Sequence, residues 1–365
     1  MTTEPVLFIA NSVYQLMTAI HLQQNCLLAS AADLLVTDAT PGLRECLPRL
    51  RECGLFRRAF FAATSRLSTR YMVGSMEEIA EGYRRIDELF RWILEEELDD
   101  YTQVYFSNFD TFTRMLACRF YERPCEFILY EDGFSSYVID YLRPGRAPVN
   151  RHEQAGRIRD KVRRALLYEP RLAMRGDSLI NQALPKIRRD DRALRERLNT
   201  IFSYTPPPDR EDFLFLEQSF RAEGIQTNDL DLMRECRQAV GPGRFIVKPH
   251  PRNSQNLPFE QGLTRKMEQG APWELFLLNE DMRGRTLITV CSNAALTGRL
   301  VFGMDVNTVM LYRLFEGKVL WKEDEVLARY LRRFHRQFAG ENYYVPATVY
   351  ELRHTLAYLG GEYGR

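Results

Sequence analysis

Short apolar runs, each followed by a segment with helical spacing, recur over residues 5–132 and again after residue 212, and this alternation restricts the chain to a few architectures. PVLFIA (5–10) leads into NSVYQLMTAIHLQQ (11–24), whose apolar residues fall at 13, 16, 17 and 20. That pattern reads as a strand feeding a helix. ADLLVTD (32–38), TQVYFSN (102–108) and CEFILYED (125–132) read as three further buried strands. Between them lie TPGLRECLPRLRECG, a helix ending at Gly54, a long amphipathic helix over 76–98, and the helical FTRMLACRFYE. Alternating strand and helix predicts a parallel α/β sheet.

Residues 150–200 break the rhythm with Arg-rich helical patterns, and SYTPPPDRED (203–212) reads as a stiff linker because three consecutive prolines fix the backbone. FLFLEQSF then opens a second alternation. FIVKPHP (245–251), TLITVCSN (286–293) and NTVMLY (307–312) are its strands. NDLDLMRECRQAV (228–240), APWELFLLNE (271–280) and segments near 323–338 and 347–359 are its helices. A chain of 365 residues suits two such domains. We expect an N-terminal α/β domain over 1–202 that includes the Arg-rich helical insertion, a linker over 203–212, and a C-terminal α/β domain over 213–365. The two enclose a cleft, and the last helix is a candidate to pack back on the first domain.

Composition narrows the function classes. With 45% hydrophobic and 27% charged residues the chain is globular, and no stretch offers the roughly 20 apolar residues a spanning helix needs. The start, MTTEPVLFIANSVYQ, has no basic n-region or cleavage site, so a cytoplasmic location is expected. Seven scattered cysteines without Cys-x-x-Cys spacing argue against a disulfide framework and against zinc. Five histidines, none paired at ligand spacing, argue against a metal site built on histidine. The net charge of +1 does not mark a nucleic-acid binder. Residues 151–200 nevertheless carry 14 basic against 7 acidic side chains. That segment is either a solvated helical face or a surface for an anionic partner such as a phospholipid leaflet or phosphorylated glycolipid.

Ligands of open α/β sheets bind at the carboxyl ends of the strands, and there the polar clusters of this chain fall. They are Asn11 with Ser12, Asn108 to Asp110, Glu131 to Gly133, Glu217 to Ser219, Lys248 to Arg252, and Ser292 with Asn293. VKPHPRN holds His250 between two prolines, either on a stiff mount flanked by Lys248 and Arg252, cations suited to phosphate, or simply as a surface histidine in a proline turn. CSNAALTGRL reads as a strand, a turn and a helix start, where Ser292 and Asn293 could hold a phosphate or simply cap the helix. In LYEDG, strand alternation sends Glu131 and Asp132 in opposite directions, and Gly133 permits a tight turn and close approach of a ligand. A carboxylate there could act as general base on an acceptor hydroxyl, or only cap the next helix.

LYEDG, VKPHP and VCSN, in that order, resemble the acidic-acidic-glycine, His-Pro and serine-pair motifs of bacterial sialyltransferases of the lipooligosaccharide and polysialic-acid capsule types (glycosyltransferase families 52 and 38). The SVYQLMTAI helix and FLFLEQSF are similar to those families as well, whereas about 140–205 is not. The resemblance implies a GT-B-like fold, two Rossmann-like domains with parallel sheets facing across a cleft. The first would be the acceptor side and the second the nucleotide-binding side.

The same resemblance implies a CMP-activated sialic acid as donor substrate, inversion at the anomeric carbon, and no metal or other cofactor. By position, Glu131 would be the base, with Asp132 and Gly133 shaping its loop. His250 would assist departure of the CMP phosphate, with Pro251 setting its pose. Lys248, Arg252, Ser292, Asn293, Glu217 and Gln218 would complete the donor site. The families have Ser or Thr where this chain has Asn293. Expected partners are the CMP-sugar, a glycan or glycolipid acceptor, the inner membrane face through 151–200 and, as a further candidate, a second copy of the chain, with nucleic acid excluded. A CMP-Kdo, UDP-sugar or CDP-alcohol donor, or a non-catalytic glycan-binding role, are the alternatives.

Overall fold

Every residue of β1 (Val6–Ala10) is buried, the pattern of a strand covered by helices on both faces of an all-parallel sheet. The computed structural model describes residues 5–27, 31–67, 71, 74–143, 152–267, 272–317, 325–340 and 342–361. Residues 1–4, the first residues of the basic segment, and the beginnings of the helices expected from 271 and 323 lie outside them.

Two compact units divide the chain. Met1–Pro185 with Asp190–Tyr204 form the first, and Lys186–Arg189 with Thr205–Arg365 form the second. In the first, β1 is joined by β2 (Ala32–Thr37), β3 (Arg58–Ala62), β4 (Gln103–Phe106), β5 (Glu126–Tyr130), β6 (Val162–Leu167) and β7 (Ile180–Ala183). They lie in the order β3-β2-β1-β4-β5-β6-β7, all parallel, with Phe8 of β1 aligned between Leu34 and Tyr105. Strand order reverses between β1 and β4. The expected helix after β1 runs Val13–Asn25, with the Ser12 hydroxyl accepting from the Gln15 N–H.

Three features of this unit differ from the sequence expectation. The basic segment, expected to be helical throughout, supplies strands β6 and β7 before helix Arg192–Ile201. Adjacent Arg163 and Arg164 hide the β6 pattern, yet Arg164 pairs with Glu126 on neighbouring β5 at 2.8 Å, and an edge strand such as β7 needs little apolar character. Other arginines there also serve the protein itself, Arg175 with Asp177 at 2.8 Å and Arg189 with the Leu278 carbonyl at 3.1 Å. The long helix over 76–98 is two helices, Met76–Arg84 and Ile86–Ile93. It stops early because Ile93 and Glu95 exchange backbone hydrogen bonds with Ala63 and Phe61, so tertiary pairing overrides local propensity. The third feature is β3, an edge strand that its own short AFFA run did not reveal.

The second unit has β8 (Phe213–Leu216), β9 (Phe245–Lys248), β10 (Thr286–Thr289), β11 (Asn307–Met310) and β12 (Tyr343–Tyr344). Their order is β12-β11-β10-β8-β9, again all parallel, so here the order reverses between β8 and β10. Helix Val349–Leu359 packs on helix Asp229–Val240 of its own unit. Arg353 grips Glu235 at 2.8 Å, and Arg244 donates to the Gly360 carbonyl at 3.0 Å. No helix among the described residues is long and apolar enough to cross a membrane.

Asp33 of β2 ties the first sheet to its flank. It is 0% exposed and accepts from Arg57 at 2.6 Å, Arg58 at 2.6 Å and the Tyr101 hydroxyl at 2.7 Å. Burial alone would raise its pKa, but these hydrogen bonds outweigh burial and hold it below the usual carboxylate range. Its contribution is present above the unfolded pKa of about 3.9 and is lost as pH falls through the lower folded value. Asp33→Asn should cost about 3 kcal/mol at neutral pH and flatten the acid limb of stability, as read by urea unfolding between about pH 2 and pH 6.

Candidate active site

Strand β5 carries Glu131, Asp132 and Gly133 to the C-terminal edge of the first sheet. The two carboxylates part, as alternation requires. Glu131 turns inward and is 0% exposed. Its Oε1 accepts from the Tyr14 hydroxyl at 2.8 Å, and its Oε2 accepts from the Tyr137 hydroxyl and from the Tyr168 backbone N–H at 2.7 Å. Burial, and after it the Glu131 carboxylate, push the Tyr14 hydroxyl well above its ordinary pKa, so it stays a donor. Asp132 is only partly buried, and its N–H donates to Ser136 Oγ at 2.8 Å. Gly133 has φ +79°, a left-handed conformation in which any side chain is strained.

Glu131 is the acid expected to be the base. It is enclosed by three donors, whereas Asp132 is the acid of the pair that is partly exposed.

The chain from 168 to 177, within the stretch that lacks the family resemblance, straps the acidic turn in place. The Glu169 N–H donates to the Tyr137 hydroxyl at 3.2 Å, and the Met174 N–H to the Tyr137 carbonyl at 2.7 Å. Arg175, its side chain 1% exposed and paired with Asp177, donates to the Ser136 carbonyl. Sequence reasoning missed Tyr14, Tyr137, Tyr168 and Arg175. Tyr137 was visible inside LYEDGFSSY, but nothing marked the others as its neighbours.

In the second unit the expected residues gather where strand order reverses. Glu217, just after β8, is 4% exposed; its Oε2 accepts the His250 N–H at 2.7 Å and it pairs with Arg221. Gln218 accepts the Cys291 N–H at 2.8 Å, while its carbonyl accepts from Asn253 at 3.1 Å. The side chains of Glu217 and Gln218, expected to touch a donor, therefore splice the ends of β9 and β10 to β8.

Ser292 lies beside them, its N–H on Thr289 Oγ1 at 3.2 Å and its Oγ accepting the Ala294 N–H at 3.2 Å. Asn293 starts helix Ala294–Phe302 with its carbonyl, while its buried Oδ1 has no partner among the described residues. Such an acceptor suits a ligand hydroxyl or amine. Pro251 and Arg252 are exposed in the following turn, Arg252 lying 3.5 Å from Glu223.

His250 is partly exposed, and its Nδ1 accepts the Arg252 N–H at 3.2 Å. That contact leaves the proton of the neutral ring on Nε2. Burial first, then Arg252 and Lys248, lower its pKa to about 4, so at neutral pH it is an uncharged donor. Burial likewise lowers Lys248, which Glu274 opposes, and raises Glu274. Among the described residues no group of three or more His, Cys, Asp or Glu is arranged to hold a metal ion.

No family model matches the sequence, and no curated protein matches it. Among solved structures the chain is similar to LpCGTa in complex with UDP, at 12% identity and TM-score 0.52 over 98% of this chain and 90% of that one. It is likewise similar to UGT73P12 of Glycyrrhiza uralensis complexed with glycyrrhetinic acid 3-O-monoglucuronide, at 9% identity and TM-score 0.52 over 99% and 88%. An alpha/beta-galactoside alpha-2,3-sialyltransferase of Photobacterium phosphoreum gives 8% identity and TM-score 0.47 over 94% and 99%. Many of the matched structures are glycosyltransferases. The fold is of GT-B type.

Two outcomes follow from this geometry. Glu131→Gln should lower stability by about 1–3 kcal/mol in chemical denaturation, because an amide meets donors arranged for a carboxylate. The His250 ring should titrate by NMR well below the ordinary histidine value in the free protein, and move upward when phosphate is added, since an anion reverses the effect of Lys248 and Arg252.

Proposed function

We propose that the chain is a glycosyltransferase moving sialic acid, or a related nonulosonic acid, from its CMP-activated donor to a hydroxyl of a surface glycan or lipooligosaccharide precursor. The observation that carries this reading is the group at the β8–β10 reversal. There a neutral His250 offers Nε2–H on a mount fixed by Glu217, with cations Lys248 and Arg252 beside it and Ser292 and Asn293 at a helix start. A site of this kind suits a phosphate. The GT-B fold and the order of the LYEDG, VKPHP and VCSN motifs add support.

In the proposed reaction the acceptor oxygen attacks the anomeric carbon from the side opposite the phosphate. The carbon–oxygen bond to phosphate breaks, and its electron pair leaves with CMP. The acceptor proton passes to the Asp132 carboxylate, while His250 donates a hydrogen bond to the departing phosphate oxygen. The sugar's own carboxylate eases the oxocarbenium-like transition state, so stabilising the leaving group and removing the proton are the protein's tasks. Positive charge for the phosphate comes from Lys248 and Arg252, and no metal is assigned. Glu131 and Gly133 hold Asp132 in place.

A second reading, a UDP-sugar donor, is favoured by the likeness in fold to LpCGTa, solved in complex with UDP. The nucleotide that raises the melting temperature separates the two, CMP for the first and UDP for the second.

Mixing the protein with CMP-sialic acid, a lactose-type acceptor and EDTA should release CMP. Asp132→Asn and His250→Ala should each lower kcat by about 100-fold or more with the fold intact. Near-normal rates in both variants, or strict dependence on a divalent ion, would remove the mechanism.

A further inference from the structure

A second polar pocket opens in the C-terminal unit, at the ends of β11 and β12 and about 10 Å along the sheet from the β8–β10 reversal. Its volume is about 450 Å³. Arg313 reaches it from the exit of β11, Arg332 and His335 from the end of helix Val326–Phe334, and Tyr343 from β12. Tyr312 and Val345 complete the walls.

Three observations on this pocket point the same way. Among the described residues no carboxylate lines it, and neither Arg313 nor Arg332 has an acidic partner. Two guanidiniums gathered without a counter-ion repel each other, an arrangement that an added anion relieves. Both lie close enough to Tyr312 to counter the upward pull of burial on its hydroxyl. Finally, Tyr343 is 4% exposed, and its hydroxyl has no hydrogen-bond partner among the described residues. A buried, unpaired hydroxyl costs about 1–3 kcal/mol unless something supplies an acceptor.

An oxyanion meets each of these needs. Arginine offers paired N–H groups in a plane that matches carboxylate or phosphate oxygens, and the tyrosine hydroxyl can donate to the same group. The remaining wall is apolar and aromatic: Val345, Leu331, and the Tyr343 ring with its centroid 5.1 Å from that of His335. Such a wall accepts the C–H face of a sugar ring.

We propose that this pocket is an oxyanion site, separate from the His250–Ser292 group, that binds the carboxylate or phosphate of a charged sugar. The choice of a sugar rests on the transferase reading above, whereas the oxyanion does not.

The test is calorimetric titration of the full chain with inorganic phosphate and with N-acetylneuraminic acid, at low and matched ionic strength, with and without CMP. At least one ligand should bind the unmodified protein with CMP present. Arg313→Ala and Arg332→Ala, both at exposed positions, should each weaken that binding about tenfold or more, and Tyr343→Phe should weaken it less. Tighter binding of phosphate would assign a phosphorylated sugar, and tighter binding of N-acetylneuraminic acid an acidic one; either supports the site. Binding of neither ligand, or binding that both arginine variants retain in full, overturns it. No turnover enters the readout, so the result stands whichever nucleotide the donor carries.

Discussion

A carboxylate sealed inside a protein must find donors or it costs several kcal/mol, and Glu131 meets that demand by joining three stretches of chain. Tyr14 belongs to the first helix, Tyr137 to the turn after β5, and the Tyr168 N–H to the segment leaving β6. The position of the acidic turn is therefore set by contacts far apart in sequence. Asp132 inherits its place from them, because Gly133 and Ser136 hold its backbone between the anchor and the strap.

The second unit repeats the device with different partners. Glu217 is also a glutamate at the exit of a strand, also enclosed, and it also fixes a neighbouring exposed group, here through the backbone of His250. In both units an enclosed acid positions a more accessible side chain that could do chemistry. The accessible partner differs in kind, a carboxylate in one and a neutral imidazole in the other.

Much of the parallel architecture was legible because buried strands in such sheets read as continuous apolar runs, as VLFIA and TLIT do. Strands β6 and β7 were not, since the Arg164–Glu126 pair and an exposed edge replace the apolar signal with charge. LYEDG and VKPHP were legible as polar segments at strand ends, and the structure places both at the ends of strands. Which carboxylate faced outward was not readable, because alternation states that two neighbours diverge but not which one meets the core. Only the three tyrosines decide that, and two of them lie more than 30 residues from Glu131.

The grip of Glu217 on Arg221 continues further than the histidine. Arg221 also holds Asp229 at 2.9 Å, in the first turn of helix Asp229–Val240, and Glu235 on that helix is clasped by Arg353 of the final helix. Two ion pairs therefore meet on helix Asp229–Val240, one from helix Val349–Leu359 and one from the Arg221 that pairs with Glu217. The helix that carries Asp229 is thus shared between the pairing that holds the His250 backbone and the packing of helix Val349–Leu359.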